Sequence, residues 1–173
     1  MTDKQKSILE SALTLFSEKG YSAVSTSLIS KQANVSEGLI FRHFKDKQGL
    51  LDHLVSAWND QFQVHITDIR SIEKPEQRIQ AAMEMPFLIN EYDFPYWKLV
   101  FSLRWQNSEL ISEYMLILKE MLEEALKELK YTDAVSEADL IMAYFDGFIS
   151  TVVLRNDQDL SSRLLHTLKK KYV

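Results

Sequence analysis

The chain of 173 residues has no cysteine, only 4 glycines and 3 prolines, and no apolar run that approaches the ~20 residues a membrane helix requires. Each absence excludes something. Without cysteine there is no disulfide, no thiolate metal ligand and no Cys nucleophile, a composition that suits a reducing cytoplasm. So few helix breakers beside 46% hydrophobic residues predict an all-α chain with long helices, large enough for one or two small domains. The N-terminus opens directly on a charged amphipathic pattern, so neither a signal peptide nor a span is expected, and the protein is expected to be cytoplasmic with no membrane partner.

Catalytic patterns are also missing. The four histidines, His43, His53, His65 and His166, form no i, i+4 pair, and neither a Gly-rich phosphate loop nor a G-x-S-x-G is present. Glu120, Glu123, Glu124 and Glu128 lack a partnering histidine and are interleaved with Lys119 and Lys127, which describes a solvated helix face. No enzymatic activity, metal or cofactor is expected.

What is present is a concentrated basic segment in an acidic chain. Residues 1–50 carry seven Lys or Arg against five Asp or Glu, and residues 51–173 carry thirteen against twenty, so balances of +2 and −7 make up the net −5. The stretch TSLISKQANVSEGLIFRHFKDKQGLL, from Thr26 to Leu51, reads as two short helices, a tight turn between them and a third helix opening on Asp46. Thr26 or Ser27 is the expected N-cap of the first, with Leu28, Ile29 and Ala33 facing inward, and Asn34 supplies the left-handed conformation its C-terminus needs. Val35 plugs the turn and Ser36 caps the segment Glu37 to Phe44. Ile40 and Phe44 can bury together, which leaves Gly38, Phe41, Arg42 and Lys45 on the opposite face at helical spacing. That face is the candidate DNA-reading surface. Arg42 can reach a guanine edge or a phosphate, and His43 and Lys45 lie where the sugar-phosphate backbone would run. Lys47 opposes the dipole of the helix it begins, which a bound phosphate would explain.

These residues resemble the DNA-binding domain of the tetracycline-repressor (TetR) family of bacterial transcription regulators. The likeness covers the apolar first helix ending in Phe16 and Gly20, Thr26, Ala33, Val35-Ser36, Gly38, Phe41 to Phe44, Lys45, Lys47 and Leu50-Leu51. The resemblance implies an all-helical fold with an N-terminal three-helix helix-turn-helix domain and a C-terminal ligand-binding and dimerisation domain. It also implies repression relieved by a small molecule. Phe41 stands where the family usually has Tyr, Arg42 and Leu39 replace other common residues, and Asn34 replaces the usual turn Gly. The operator sequence therefore does not transfer. Thr26, Ser36, Glu37, Gly38, Phe41, Arg42, His43, Lys45 and Lys47 are the expected DNA-contacting set.

The rest divides into 1–50 as the helix-turn-helix domain and 51–173 as the effector-binding and dimerisation domain. Leu50, Leu51, Leu54, Val55, Trp58, Phe62, Ile66 and Ile69 keep helical spacing to about Ser71, a helix on the order of 40 Å long that would link the two. Beyond Pro75 the pattern predicts helices over 76–91, 95–105, 108–130, 137–154 and 158–171. Trp97, Phe101 and Trp105 recur at i, i+4, i+8; with Met83, Phe87 and Met121 they read either as plain core or as the lining of a pocket for a small hydrophobic effector. Ile141, Phe145, Gly147, Phe148 and Val152, followed by Leu164 and Leu168, read as intradomain packing or as a homodimer interface. The second reading is favoured because Gly147 is costly within a helix and a helix-turn-helix normally binds a palindromic duplex as a two-fold pair. The alternatives are a helical protein-interaction module and a small-molecule carrier, neither binding an operator.

Overall fold

In the computed structural model, which describes residues 1–104 and 112–172, every regular element is helical and no strand occurs among the described residues. The helices are α1 (Asp3–Lys19), α2 (Thr26–Gln32), α3 (Glu37–Phe44), α4 (Lys47–Arg70), α5 (Pro75–Glu84), α6 (Phe94–Arg104), α7 (Ser112–Glu128), α8 (Ala134–Ile149) and α9 (Gln158–Tyr172). They sort into two units, Met1–Gln61 with Tyr92–Leu110, and Phe62–Glu91 with Ile111–Val173.

In the first unit α1 begins with a reciprocal capping box, Thr2 accepting from the Gln5 backbone while the Gln5 side chain accepts from the Thr2 backbone. It ends on Gly20, whose φ of 81° is a region that side chains with a Cβ disfavour. Ile8, Ala12 and Phe16 are fully buried along its inner face, and Ile29, Ile40 and Leu50 close over them. α6 packs on α1, and the Trp58 and Trp97 rings meet edge to face at 5.3 Å. The expected boundary after residue 50 had assigned α6 to the C-terminal domain. Its apolar Leu99, Val100 and Leu103 are instead buried within the N-terminal unit.

In the second unit Pro75 supplies the first residue of α5, where its missing N–H costs nothing. That helix stops at Glu84, not at residue 91, and tightens into a 3-10 turn over Met85–Leu88, because Pro86 cannot donate the next helical hydrogen bond. α8 starts earlier than expected because Asp133 accepts from the Ser136 backbone N–H at 3.0 Å. After Ile149 it continues as a π-helix, Ser150–Arg155. Leu118, Met121, Leu122, Ala125, Ala138, Ile141 and Phe145 form the core between α7 and α8. Arg78 is buried, and its Nη2 donates to both carboxylate oxygens of Glu128 at 2.7 Å. No helix among the described residues is long and apolar enough to cross a membrane.

Candidate nucleic-acid interface

The helix-turn-helix is set by local chemistry at three points. Ser25, not Thr26 or Ser27, is the N-cap of α2, accepting from the Leu28 N–H at 3.1 Å. Thr26 is thereby freed to donate to Glu37 Oε1 at 2.6 Å, tying the start of α2 to the start of α3. Asn34 takes the expected left-handed turn, with φ 52°. Leu28, expected inward, is exposed at 36%, while Ile29 and Ser30 turn in beside Ala33. The short α2 thus buries a face one residue removed from the one its leucine suggested.

The junction after α3 is tighter than its sequence suggests. Lys45 has φ 70° and ψ −53°, and Asp46 N–H reaches back to the Phe44 carbonyl at 2.8 Å. This is a γ-turn at a non-glycine residue, a strained conformation. Asp46 then caps α4 by accepting from the Gly49 N–H at 2.8 Å. Any Cβ on Gly49 would collide with the Phe44 carbonyl, so this glycine permits α4 to leave directly beneath the end of α3.

These constraints present Gly38, Phe41, Arg42 and Lys45 together on the exposed side of α3, with Ile40 and Phe44 buried behind them. Phe41 is 51% exposed, and open space surrounds the position a Gly38 side chain would occupy. Ser36 occupies the N-cap position of α3 without a side-chain hydrogen bond to it. Beside it an open cleft of about 400 Å³ is lined by Lys4 and Lys31 together with Ser30, Asn34, Val35, Ser36 and Leu39. Neither lysine was expected in the interface. A lysine in the first turn of α1 was the available signal, since it opposes that helix's dipole.

Four of the expected DNA-contacting residues, Thr26, Glu37, His43 and Lys47, are engaged within the protein. Glu37 accepts from Thr26. His43 Nδ1 lies 3.2 Å from the Gln5 amide nitrogen. Lys47 Nζ donates to the Tyr21 carbonyl at 3.0 Å and the Val24 carbonyl at 2.9 Å, and it sits 4.3 Å from the Tyr21 ring centroid. Its ammonium therefore bridges the first carbonyl of the 3-10 turn Tyr21–Ala23 and that of its C-cap Val24, a geometry different from the phosphate clamp expected of a cation opening a helix. Burial first, and the carboxylates of Asp46 and Asp52 second, raise the Tyr21 phenol above its ordinary range. The protonated hydroxyl donates to Gln48 Oε1 at 3.0 Å.

The other candidates separate. Trp97 and Phe101 lie in the first unit and Met83, Phe87 and Met121 in the second, while Trp105 falls outside the described residues. Met83 and Met121 are buried, and Phe87 packs on Phe148 at 5.0 Å. Of the expected interface residues, Ile141, Phe145, Val152 and Leu168 are buried against their own chain and so are unavailable to a second copy. Gly147 is exposed, and Phe148 and Leu164 are half-buried. On α8 and the π-helix Leu140, Gly147 and Leu154 are exposed while Tyr144 and Thr151 are half-buried; of these the sequence had singled out only Gly147.

Two short helices at a tight turn, the second exposing a cationic and aromatic face, define a helix-turn-helix DNA-binding domain. Residues 8–54 match the family described as bacterial regulatory proteins, tetR family. Those residues, the helix-turn-helix and the helices that flank it, are therefore of that family. The chain is 50% identical over 56 residues to the uncharacterized HTH-type transcriptional regulator YvkB of Bacillus subtilis (strain 168), covering 32% of this chain and 30% of the relative. It is 36% identical over 77 residues to the HTH-type transcriptional repressor Rv3405c of Mycobacterium tuberculosis, covering 44% and 39%. The match thus spans well under half the length of these relatives. Among solved structures, the fatty acid degradation regulator FadR from Bacillus halodurans superposes with TM-score 0.72 at 22% identity, over 97% of this chain and 95% of that one. The likeness extends the shared fold through the C-terminal helices.

Proposed function

We propose that the protein is a cytoplasmic DNA-binding transcriptional repressor that binds a palindromic operator as a homodimer and is released by a small hydrophobic effector. The observation that carries this reading is the face made by Gly38, Phe41, Arg42 and Lys45. It is exposed, cationic and flanked by Lys4 and Lys31, in a chain whose net charge is −5. A protein-interaction module would have no need to gather cations from three helices around the exposed face of α3. Arg42 is assigned to a base edge or phosphate, and Lys45, Lys4 and Lys31 to the backbone.

Dimerisation is assigned to the exposed Leu140, Gly147 and Leu154 with the half-buried Tyr144, Phe148 and Leu164. Gly147 has a helical backbone and no chain neighbour near its Cβ position, so nothing packed on it within the chain accounts for a glycine that costs helix stability. The effector is assigned to the interior of the second unit around Met83, Met121 and Phe87. Methionines adapt to an irregular apolar guest, and the adjacent π-helix is a type of distortion frequent at functional sites. FadR is named for fatty acid degradation, which favours an acyl or similarly apolar effector here. Such a ligand acts only if it binds the DNA-incompetent conformation more tightly than the DNA-bound one.

Selection from random duplexes, followed by gel shift with the purified protein, tests DNA binding and returns the operator. Enrichment of a palindrome with half-sites about one helical turn apart is expected. Recovery of no sequence overturns the reading. Apolar ligands that raise the melting temperature are then added to the complex, and hits that leave operator affinity unchanged remove the effector role.

A further inference from the structure

The Gln5 side chain joins two hydrogen bonds that together decide which nitrogen of His43 carries its proton. Its Oε1 accepts from the Thr2 backbone N–H at 2.7 Å as half of the capping box that starts α1. That bond fixes the orientation of the amide, because the reverse orientation would set the amide N–H groups against another N–H. The amide nitrogen then faces His43 Nδ1 at 3.2 Å. An amide nitrogen only donates, so this bond calls for the Nδ1 lone pair, which is the tautomer with its hydrogen on Nε2. His53 supplies the opposite case in the same unit. Its Nδ1 lies 2.8 Å from the Gly49 carbonyl, an acceptor only, so there the hydrogen must sit on Nδ1.

We propose that Gln5 is a positioning residue that holds His43 in the neutral Nε2–H form, so that α3 offers an uncharged N–H donor to a DNA phosphate. This inference rests on the DNA-binding reading above. A phosphate oxygen accepts hydrogen bonds and repels lone pairs, so the other tautomer would place the wrong group outward. A neutral donor also differs from lysine in a measurable way. It releases no counterion, and its contact therefore contributes affinity without contributing to the salt dependence. His43 ties the end of α3 to the first turn of α1, so the donor is held by a side chain 38 positions away in sequence.

The first measurement is the ring ¹⁵N spectrum of the free full-length protein in mildly alkaline buffer, with the signals assigned by single His→Gln variants. Nε2–H at His43 and Nδ1–H at His53 are expected. Gln5→Glu keeps an acceptor for the Thr2 N–H and offers a second acceptor to the ring, so it should place a hydrogen on His43 Nδ1 while His53 is unchanged. A wild-type His43 with its hydrogen on Nδ1, or a Gln5→Glu protein with an unaltered His43 signature, overturns the assignment. The second measurement is operator affinity against salt. His43→Ala should weaken binding severalfold with the slope preserved, His43→Gln should recover part of the loss, and Lys45→Ala should reduce the slope by about 0.9 for one phosphate contact. A slope reduced equally by His43→Ala would show a charged contact and refute the neutral donor. Failure of the wild type to bind any duplex would sink the DNA reading itself, and is distinguishable because the tautomer spectrum needs no DNA.

Discussion

Gly38→Ala separates the stability of the recognition helix from its function. Gly38 is the second residue of α3, its backbone is not in the positive-φ region where Gly20 sits, and open space surrounds its Cβ position. Nothing within the chain requires glycine there. Alanine should stabilise the fold by roughly 0.5–1 kcal/mol through lower backbone entropy in the unfolded chain. In a protein of this size that corresponds to a rise in melting temperature of roughly 1–4 °C. Binding should move the other way. A methyl group inserted between α3 and a groove wall already in contact resembles an overpacked core, at a cost of about 1–3 kcal/mol, or roughly 5- to 150-fold in affinity. Differential scanning calorimetry reads the first effect, and fluorescence anisotropy with the selected operator at constant salt reads the second. A variant that melts higher yet binds within about twofold of wild type would refute the placement of Gly38 against DNA. The recognition face would then have to be redrawn.

Lys47→Met should lower thermal stability, by removing the ammonium that the Tyr21 and Val24 carbonyls share, while leaving the slope of log affinity against log salt unchanged; a slope reduced as in Lys45→Ala would restore Lys47 to the phosphate-contacting set. Gly147→Leu places bulk on the outward face of α8 and should shift the protein towards monomer and weaken operator binding, with sedimentation velocity as the measurement; a wild type already monomeric at micromolar concentration defeats the dimer assignment. Glu128→Ala should destabilise the second unit by about 1–3 kcal/mol in denaturant titration, because it leaves the buried Arg78 cation uncompensated, and Arg78→Met should cost less. The half-exposed carboxylate reduces the size of the first effect, and equal losses in the two variants would show that packing of the arginine stem, not its charge, carries the contribution.

The helix-turn-helix was legible because its chemistry is local. Asn34 at the turn, Ser36 before α3, and the alternation of Ile40 and Phe44 with Phe41 and Arg42 all act within a few residues of one another. The four glycines show where that legibility stops. Gly20 is explained by its own dihedral angle and is readable as a helix stop, whereas Gly49 is explained only by the Phe44 carbonyl above it. Gly38 and Gly147 meet nothing in the chain, and their use is assigned to DNA and to a second subunit. The candidate interface was likewise readable as a set of side chains but not as a set of free side chains. Thr26 with Glu37, Gln5 with His43, and Lys47 with Tyr21 are pairs separated by 11, 38 and 26 positions, and no periodicity links them.

By itself the sequence determined the helical class, the turn and the outward face of α3, since capping, periodicity and glycine or proline placement are properties of neighbouring residues. The tertiary structure alone decided that α6 packs on α1, that Ile141 and Phe145 face their own core while Leu140, Gly147 and Leu154 are exposed, and that Lys47 is bonded to backbone carbonyls. An amphipathic helix states how wide its apolar face is, but which part of that face meets its own domain depends on the helices packed against it. A cation likewise has no fixed role until folding shows whether the nearest acceptor belongs to the protein or to its partner.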